Sequence, residues 1–293
     1  MVVFYRRMPR FAYLCPGSLP EALRILQDNH DGRYRVYAGG TDLMPKLKKR
    51  MIETPQAVVD LKGLPELDYI RFDPEQGLVI GALASIASVA ASPVIRDKFP
   101  ALAQGAGNIA ATHIQNRGTI AGNICSALPS ADSAPALLAL EAQVNCLGQT
   151  GRRTVPLAEF FSGPGQTCLG SDELVEDIRV PPAGAGLKGV YYKLSPRRRM
   201  DLAVVGVAVV GRVEDGRVQD VRIGLGAVAP TPLRARQAEA EIMGAPLEAS
   251  QVDRAARAAA AEARPIDDHR ASAEYRRLMV EVLVRRGLQA LAA

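Results

Sequence analysis

The sequence predicts an α+β protein made of three units of mixed strands and helices, and three observations carry this prediction. Strand-like and helix-like stretches alternate over roughly the first 60 residues, which is typical of a small α/β unit. A second block of strands and helices follows and ends at the prolines at 181–182. After a segment rich in Gly and Pro at 181–189, strand patterns come first and helical patterns follow, as in an α+β domain.

The first unit, which we place at residues 1–60, opens with a strand at 11–14 and a helix over "SLPEALRILQDNH". Ser18 stands at the helix N-cap with Glu21 three residues later, the spacing of a capping box. The run "YRVYAGG" predicts a short strand that ends in glycines, and "DLMPKLKKR" predicts one or two helical turns. A buried strand, "AVVDL" at 57–61, closes the unit.

The second unit, placed at residues 61–180, begins with the strands "LDYIRF" and "GLVIGALAS" around a turn that contains Pro74 and Gly77. Helical patterns run through "IASVAA" and "PALAQGAGNIAA". The segment 115–135 is rich in Gly, Asn, Ser and Pro, which is typical of loops. A helix over "APALLALEA" and strands over "QVNCLG", "RRTVPL" and "ELVEDIRV" complete the unit.

The third unit, placed at residues 187–293, contains three candidate strands: "GVYYKL", "LAVVGVAVVGRV" and "RVQDVRIGLGAVA". The pair Asp215-Gly216 is a hairpin signal between the last two. The remainder reads as helix at 233–243, 249–264 and 271–291. We therefore expect a three-stranded sheet covered by helices.

Composition excludes several classes of function. The chain has 293 residues and a formal net charge of +5, but its basic residues cluster only at 46–50 and 197–199, and aromatic residues make up 5%. A nucleic-acid surface usually combines denser Lys and Arg with stacking aromatics, so no nucleic acid is expected. No apolar run is long enough for a transmembrane segment, and charges interrupt the apolar N-terminal stretch. We expect a cytoplasmic protein that binds an anionic cofactor or a partner protein.

Metal sites and nucleophilic catalysis are not indicated either. The cysteines are widely spaced and form no CxxC pair, which disfavours a zinc or iron–sulfur site within the chain. The histidines are far apart, and no Ser-His-Asp or Cys-His arrangement is indicated. We predict reduced thiols, no metal ligand and no catalytic residue. The residues concerned are Cys15, Cys125, Cys146, Cys168, His30, His113 and His269.

Two stretches combine glycine with a hydroxyl and an amide or carboxylate: "AGGTDL" at 38–43 and "RGTIAGN" at 117–123. Glycine lets backbone N–H groups approach an oxyanion, and consecutive N–H groups can form an anion-holding concavity. Thr41 and Thr119 can each donate to a phosphate oxygen. Taken singly, each stretch reads as a tight turn, in which Asp42 caps the next helical turn. As a pair, the two stretches could bind a pyrophosphate from two sides, one stretch at each phosphate.

Polar residues elsewhere in the sequence have both a structural and a functional interpretation. Asp132 precedes a helix and suits its N-cap, and a carboxylate there can also accept hydrogen bonds from ribose hydroxyls or a flavin edge. Lys193 lies in a strand, where a lysine usually reaches toward solvent. The arginines at 197–199 read as a solvated loop, in which Asp201 can pair with one of them. This set is poor in acid–base groups, so we expect a cofactor to carry the reaction.

Three stretches, in this order, resemble the FAD-binding medium subunit of molybdenum hydroxylases: "YAGGTDLMPKL", "NRGTIAGNICSALPSADSAPALLALEA" and "YYKLSPRRRMDLAVVGVAVV". That family includes the flavoprotein of carbon monoxide dehydrogenase and the FAD subunit of xanthine dehydrogenase. The resemblance covers essentially the whole chain. It implies a two-subdomain FAD-binding domain of the vanillyl-alcohol oxidase and p-cresol methylhydroxylase type, followed by an α+β C-terminal domain.

The resemblance also implies which residues bind FAD, non-covalently. The first pyrophosphate loop would comprise Ala38, Gly39, Gly40, Thr41, Asp42 and Leu43. The second would comprise Thr119, Ile120, Ala121, Gly122 and Asn123. Ile109 would lie against the adenine, Leu202 near the isoalloxazine, and Asp132 and Lys193 at polar atoms of FAD. The chain departs from the family at Ala121, where Gly-Gly is common, and at Met200, where some relatives carry an acid.

By the same resemblance, the chain is an electron-transfer subunit. Its partners would be a large subunit with a molybdenum–pterin cofactor and a small subunit with two [2Fe–2S] clusters, in a heterotrimer or a dimer of heterotrimers. Electrons would pass between those clusters and an external acceptor through FAD. Two alternatives stay open: a stand-alone FAD-dependent oxidase or dehydrogenase of the same fold, and a flavin-free assembly subunit. The sequence decides neither the substrate nor the acceptor.

Overall fold

The first part of the fold is a small parallel sheet with two helices. The computed structural model describes residues 7–29, 31–184, 186–197 and 199–292. Strand β1 (Ala12–Leu14), helix α1 (Leu19–Gln27), strand β2 (Tyr34–Tyr37), helix α2 (Leu43–Lys49) and strand β3 (Ala57–Asp60) follow in turn. Both outer strands pair in parallel with β3, so the order is β1-β3-β2.

The N-terminus of α1 confirms the predicted cap. Ser18 Oγ accepts a hydrogen bond from the N–H of Glu21 at 3.4 Å. The Glu21 carboxylate accepts from the N–H of Gly17 at 2.7 Å instead of closing a box on Ser18. On the other side of α1, Ala22 and Leu26 pack on β3 in a small apolar core that also includes Leu174. The first unit is thus joined to the second by apolar packing.

A five-stranded antiparallel sheet forms the second part. Its strands are β4 (Ile70–Asp73), β5 (Gly77–Gly81), β6 (Gln143–Gly148), β7 (Gly151–Pro156) and β10 (Leu174–Val180), in the order β4-β5-β10-β6-β7. A short hairpin of β8 (Phe161–Gly163) and β9 (Gln166–Thr167) lies between β7 and β10 in the chain. The last strand in sequence, β10, thus takes the centre of this sheet.

Short helices connect β5 to β6. They are α3 (Ile86–Ala91), α4 (Pro93–Lys98), α5 (Pro100–Asn108), α6 (Thr112–Gln115), α7 (Ile120–Cys125) and α8 (Ser133–Ala139), and α9 (Leu157–Phe160) follows β7. The segment 115–135, which composition predicts as loop, therefore contains a whole helix. The reason is local: Thr119 caps α7, and Ile120 and Ile124 bury their side chains in the core. A capped, half-apolar turn is helical despite its glycine.

The third part is an antiparallel sheet backed by three helices. Strands β11 (Lys188–Leu194), β12 (Val205–Glu214), β13 (Arg217–Gly226) and β14 (Leu233–Arg234) pair in sequence order. The helices are α10 (Arg236–Ile242), α11 (Ala249–Glu262) and α12 (Ala273–Ala290). The hairpin prediction is confirmed, because Asp215 and Gly216 between β12 and β13 both have positive φ, at 49° and 72°.

The prediction of a three-stranded sheet, with helix from residue 233, is wrong at one edge. Leu233 and Arg234 pair with Leu225 and Gly224 as a fourth strand. The edge of β13 offers ladder hydrogen bonds that local propensity does not reveal. The Arg234 guanidinium also binds the Glu239 carboxylate at 2.6 Å, which turns the chain into α10.

The sheet of the third part packs directly on the second part. Tyr191, Ala208 and Val210 belong to the same apolar core as residues of the helices α3, α4, α5, α7 and α8. A Cβ on Gly224 would lie 2.0 Å from the carbonyl oxygen of Pro135 at the start of α8. Apolar packing is continuous between the units, so it does not mark where one unit ends and the next begins. The domain boundaries at residues 60, 180 and 187 therefore stay a prediction. Among the described residues, no helix combines the length and apolar character needed to cross a membrane.

Candidate functional site

A cavity of about 700 Å³ lies where the three parts of the fold meet. Its walls come from the turn between β2 and α2, from α7 and the segment before α8, and from residues 200–202. All but two of the candidate FAD-binding residues line it, the exceptions being Ile120 and Lys193. The structure therefore brings together stretches that lie far apart in the sequence.

The first glycine stretch forms the tight turn from β2 into α2. Gly40 has a φ of 69°, and a Cβ there would lie 2.0 Å from the Tyr37 ring. In the part of the chain that the structure describes, the N–H groups of Gly39, Gly40 and Thr41 donate to no protein acceptor. Consecutive amides without a protein acceptor, at the wall of a cavity, suit an oxyanion.

The second glycine stretch is the first turn of α7 and not a loop. Thr119 Oγ1 accepts from the N–H of Gly122 at 2.9 Å, and the carbonyl of Thr119 accepts from Asn123 at 3.0 Å. The threonine hydroxyl keeps its own proton, so it can still donate to a ligand. Ile120 points into the core and is fully buried, which is why its side chain does not line the cavity.

The two stretches are in direct contact. A Cβ on Gly39 would lie 2.0 Å from the carbonyl oxygen of Arg117, so the two backbones meet there. The Asp42 carboxylate accepts a hydrogen bond from Ser126 Oγ at 2.6 Å and makes no side-chain capping bond to α2. Asp42 therefore holds the two stretches together, and the capping role considered for it is wrong.

Asp132 is held by two side chains of the third part. It stands at the N-cap of α8, but it makes no capping bond. Instead, its Oδ1 accepts from the Tyr191 hydroxyl at 2.7 Å and its Oδ2 from Lys193 Nζ at 2.7 Å. The side chains of both Asp132 and Lys193 are only 7% exposed, so the expectation that Lys193 reaches solvent is wrong.

Burial shifts the pKa values of both Asp132 and Tyr191. Burial raises the pKa of the Asp132 carboxyl, and the charge and hydrogen bonds of Lys193, with the bond from Tyr191, oppose that shift. Burial, with the adjacent Asp132 carboxylate, raises the pKa of the Tyr191 phenol well above its usual 10. The phenol is therefore a hydrogen-bond donor throughout the physiological range.

Lys193 does not line the cavity but binds three groups next to its wall. Besides Asp132, its ammonium donates to the carbonyl of Asn108 at 3.1 Å and to the carbonyl of Asp201 at 2.9 Å. An ammonium has three protons, so these acceptors use all of them. The two carbonyls directly precede Ile109 and Leu202, which are the apolar residues expected against the two rings of FAD.

The remaining candidates have simpler surroundings. Arg197 pairs with Asp201 at 3.3 Å, as the sequence suggested. Met200 lines the cavity with a φ of 55°, and its N–H donates to the carbonyl of Ala110 at 3.3 Å. Within the described residues, no cluster of three or more potential metal ligands is present. His30 and Arg198 lie outside the described residues.

Sequence reasoning missed Tyr191 and Ser126. Tyr191 and Lys193 are two positions apart on β11, so their side chains leave the same face of the strand. That spacing could have indicated that Tyr191 lies beside Lys193. Ser126 gave no local signal, because its partner lies 84 positions away. Two basic residues, Arg35 and Lys46, also line the cavity and add positive charge near the first glycine stretch.

Comparison with known proteins agrees with this geometry. Residues 9–183 match the family described as the FAD binding domain in molybdopterin dehydrogenase, and residues 190–291 match the CO dehydrogenase flavoprotein C-terminal domain. The chain is 38% identical to the carbon monoxide dehydrogenase medium chain of Hydrogenophaga pseudoflava, over 96% of this chain and 97% of that one. It is 30% identical to the putative xanthine dehydrogenase FAD-binding subunit of Escherichia coli, over 96% of each.

A solved structure has the same fold. It is the carbon monoxide dehydrogenase from Hydrogenophaga pseudoflava that lacks the Mo-pyranopterin moiety of the molybdenum cofactor. A chain of that structure superposes on this one with a TM-score of 0.93, over 97% of this chain and 98% of that chain, at 38% sequence identity. Both the resemblance seen in the sequence and the expected α+β fold are thereby confirmed. With both domain families matched along nearly its whole length, the chain belongs to the FAD-binding medium subunits of the molybdenum hydroxylases.

Proposed function

We propose that the cavity binds FAD non-covalently and that the chain is the electron-transfer subunit of a molybdenum hydroxylase complex. When bound, FAD supplies the capacity to exchange electrons between iron–sulfur clusters of a partner and an external acceptor. Among the described residues of the cavity wall, burial raises the pKa of the Cys125 thiol to about 12, which keeps it protonated. The carboxylates of Asp42, Asp132 and Asp201 are already engaged by other side chains, which does not favour independent catalysis. The residues of the chain bind, orient and enclose the cofactor.

The observation that carries this proposal is the set of free amides at the first glycine stretch. The N–H groups of Gly39, Gly40 and Thr41 have no protein acceptor among the described residues, and they line the same cavity as Thr119 and Gly122. Leaving several backbone donors unpaired is costly unless a ligand or water accepts from them. An anionic pyrophosphate supplies such acceptors, and the cavity volume of about 700 Å³ is within the range of cofactor sites.

The partners are proposed from the relatives. The matched proteins are named as medium chains or FAD-binding subunits, which are parts of larger assemblies. We propose a large subunit with a molybdenum–pterin cofactor and a small subunit with [2Fe–2S] clusters, in a heterotrimer or a dimer of heterotrimers. The relatives are named for different substrates, carbon monoxide and xanthine, so the substrate follows from the partner and not from this chain.

Flavin binding is tested on the purified chain. We expect a yellow protein, or an apoprotein that takes up added FAD and quenches its fluorescence. Replacing Gly40 by Val together with Thr119→Ala should weaken FAD binding, because the first change fills the turn and the second removes the α7 cap. A colourless chain that takes up no FAD would exclude the proposal. Unchanged affinity in the double variant would exclude the two glycine stretches as its site.

Partnership is tested by purifying the chain from its native source through an affinity tag. We expect two further subunits together with molybdenum and iron, measured by elemental analysis. A chain that comes alone and oxidises a substrate by itself would support the stand-alone oxidase instead. A complex that contains the chain but no flavin would support an assembly role.

A further inference from the structure

We propose that Tyr191 is a positioning residue of the FAD site, which acts through the carboxylate of Asp132. Tyr191, Asp132 and Lys193 form a buried hydrogen-bonded triad that joins the C-terminal sheet to the cavity wall. Only Asp132 of the three lines the cavity. The inference rests on the proposed binding of FAD in that cavity, and it assigns a role to a residue that does not itself reach the ligand.

The triad leaves the carboxylate little freedom. One oxygen of Asp132 accepts from the Tyr191 hydroxyl and the other from Lys193 Nζ, each at 2.7 Å. A hydrogen bond to an ionised group is stronger than one between neutral groups, and two such bonds fix the plane of the carboxylate. Asp132 lines the cavity, and each carboxylate oxygen can accept more than one hydrogen bond, so both oxygens keep lone pairs for a ligand.

The phenol ring is itself immobilised by its backbone surroundings. The N–H of Tyr191 donates to Gln104 Oε1 on α5 at 2.7 Å. On the neighbouring strand, a Cβ on Gly206 would lie 2.8 Å from the Tyr191 hydroxyl, so the absence of a side chain there makes room for the phenol. Tyr191 is 4% exposed. Its hydroxyl therefore has a fixed position from which to direct Asp132.

Lys193 cannot replace Tyr191 in this task. Its three ammonium protons are engaged by Asp132 and by the carbonyls of Asn108 and Asp201. When the phenol is removed, Oδ1 of Asp132 stays buried without its donor, and the carboxylate turns or takes up a proton to relieve the loss. Either response changes what Asp132 presents to a ligand in the cavity.

The test is a double-mutant cycle on FAD affinity, measured by fluorescence titration of the full-length apoprotein. The variants are Tyr191→Phe, Asp132→Asn and their combination. Tyr192→Phe is the matched control, because its side chain leaves the opposite face of β11 and packs toward the C-terminal core. The visible circular dichroism of the bound flavin is recorded for each variant, since it reports the surroundings of the ring system and not the stability of the fold.

Tyr191→Phe should weaken FAD binding about tenfold, the effect of losing one hydrogen bond to a charged group. It should also alter the flavin dichroism, while Tyr192→Phe changes neither. In the Asp132→Asn background, Tyr191→Phe should change affinity by less than about twofold, because the two residues act as one unit. Equal losses in both backgrounds would show a merely structural role and overturn the inference, as would unchanged binding by Tyr191→Phe.

Failure of the inference can be distinguished from failure of the proposed function. If the wild-type chain binds no FAD, both fall together. If the wild type binds FAD and Tyr191→Phe binds it equally well, only the inference falls. Should Tyr191→Phe not fold, Gly206→Ala takes its place in the cycle, because the added methyl group displaces the phenol without removing it.

Discussion

Asp42 and Ser126 are 84 positions apart in sequence, yet their side chains share a hydrogen bond of 2.6 Å from Ser126 Oγ to the Asp42 carboxylate. Asp42 lies near the end of the first glycine stretch, and Ser126 directly follows α7, whose first turn belongs to the second stretch. Together with the close backbone approach of Gly39 to Arg117, this bond fixes the separation of the two halves of the proposed pyrophosphate site. Neither residue needs to touch the ligand to govern its affinity.

Ser126→Ala should lower both stability and FAD affinity. It leaves the Asp42 carboxylate without its donor, which costs about 1 to 3 kcal/mol for a hydrogen bond to a charged group. Thermal unfolding of the apoprotein and FAD titration measure the two effects. Asp42→Asn is the comparison, because the amide oxygen still accepts from Ser126 and should preserve most of the affinity. Equal damage by both variants would mean that the charge of Asp42, and not the bond, matters.

Gly39 should tolerate no side chain. A Cβ there would lie 2.0 Å from the carbonyl oxygen of Arg117, so Gly39→Ala must push the two glycine stretches apart. We expect a loss of about 1 to 3 kcal/mol, typical of overpacking, and clearly weaker FAD binding. Gly107→Ala is the matched control, since nothing lies within 4 Å of its Cβ position and alanine favours the helix α5. A stable, FAD-binding Gly39→Ala protein would contradict the close approach.

Local patterns in the sequence were sufficient for most of the framework. Ser18 predicted the start of α1, and Asp215-Gly216 predicted the hairpin between β12 and β13. Glycines next to threonines indicated the segments that line the cavity. These features depend on residues that are neighbours in the chain, so they can be recognised without the fold. The same holds for the family resemblance, which rested on those segments.

Pairings across the fold could not be predicted in this way. Asp132 looked like a helix cap and Lys193 like a solvent-reaching side chain, but each is the other's buried partner, 61 positions away. Only the packing of the third sheet on α8 removes both from water and makes the ion pair necessary. The fourth strand at Leu233 and Arg234 has the same origin, because it exists only beside the edge of β13.

Gly224→Ala should disturb the docking of the C-terminal sheet. The new Cβ would lie 2.0 Å from the carbonyl oxygen of Pro135, a backbone atom that cannot move without shifting α8. We expect a loss of about 1 to 3 kcal/mol in urea unfolding and weaker FAD binding, because Asp132 directly precedes α8. Gly184→Ala, with nothing within 4 Å of its Cβ position, should be close to neutral. Equal stability of the two variants would exclude a tight contact at Gly224.

Asp268 should make stability depend on pH in the acid range. It accepts from the N–H of Arg270 and from the buried guanidinium of Arg276, each at 2.8 Å. Burial raises the pKa of Asp268, but these hydrogen bonds outweigh it and bring the pKa down to about 2, from 3.8 for a free aspartate. A folded-state pKa below the unfolded one stabilises the fold above the unfolded pKa, and this contribution is lost as pH falls through both values.

Asp268→Asn should therefore be less stable than the wild type at pH 7, by about 1 to 2 kcal/mol, because a charge-assisted hydrogen bond is replaced by a neutral one. The difference should shrink as pH falls from about 4 toward about 2, where the wild-type carboxyl takes up its proton. Urea midpoints measured across this range give the comparison. Asp97→Asn is the control, since the Asp97 side chain is 71% exposed and should change stability little at any pH. A difference between Asp268→Asn and wild type that stays constant down to pH 2 would show that the side chain contributes only by shape and not by its charge.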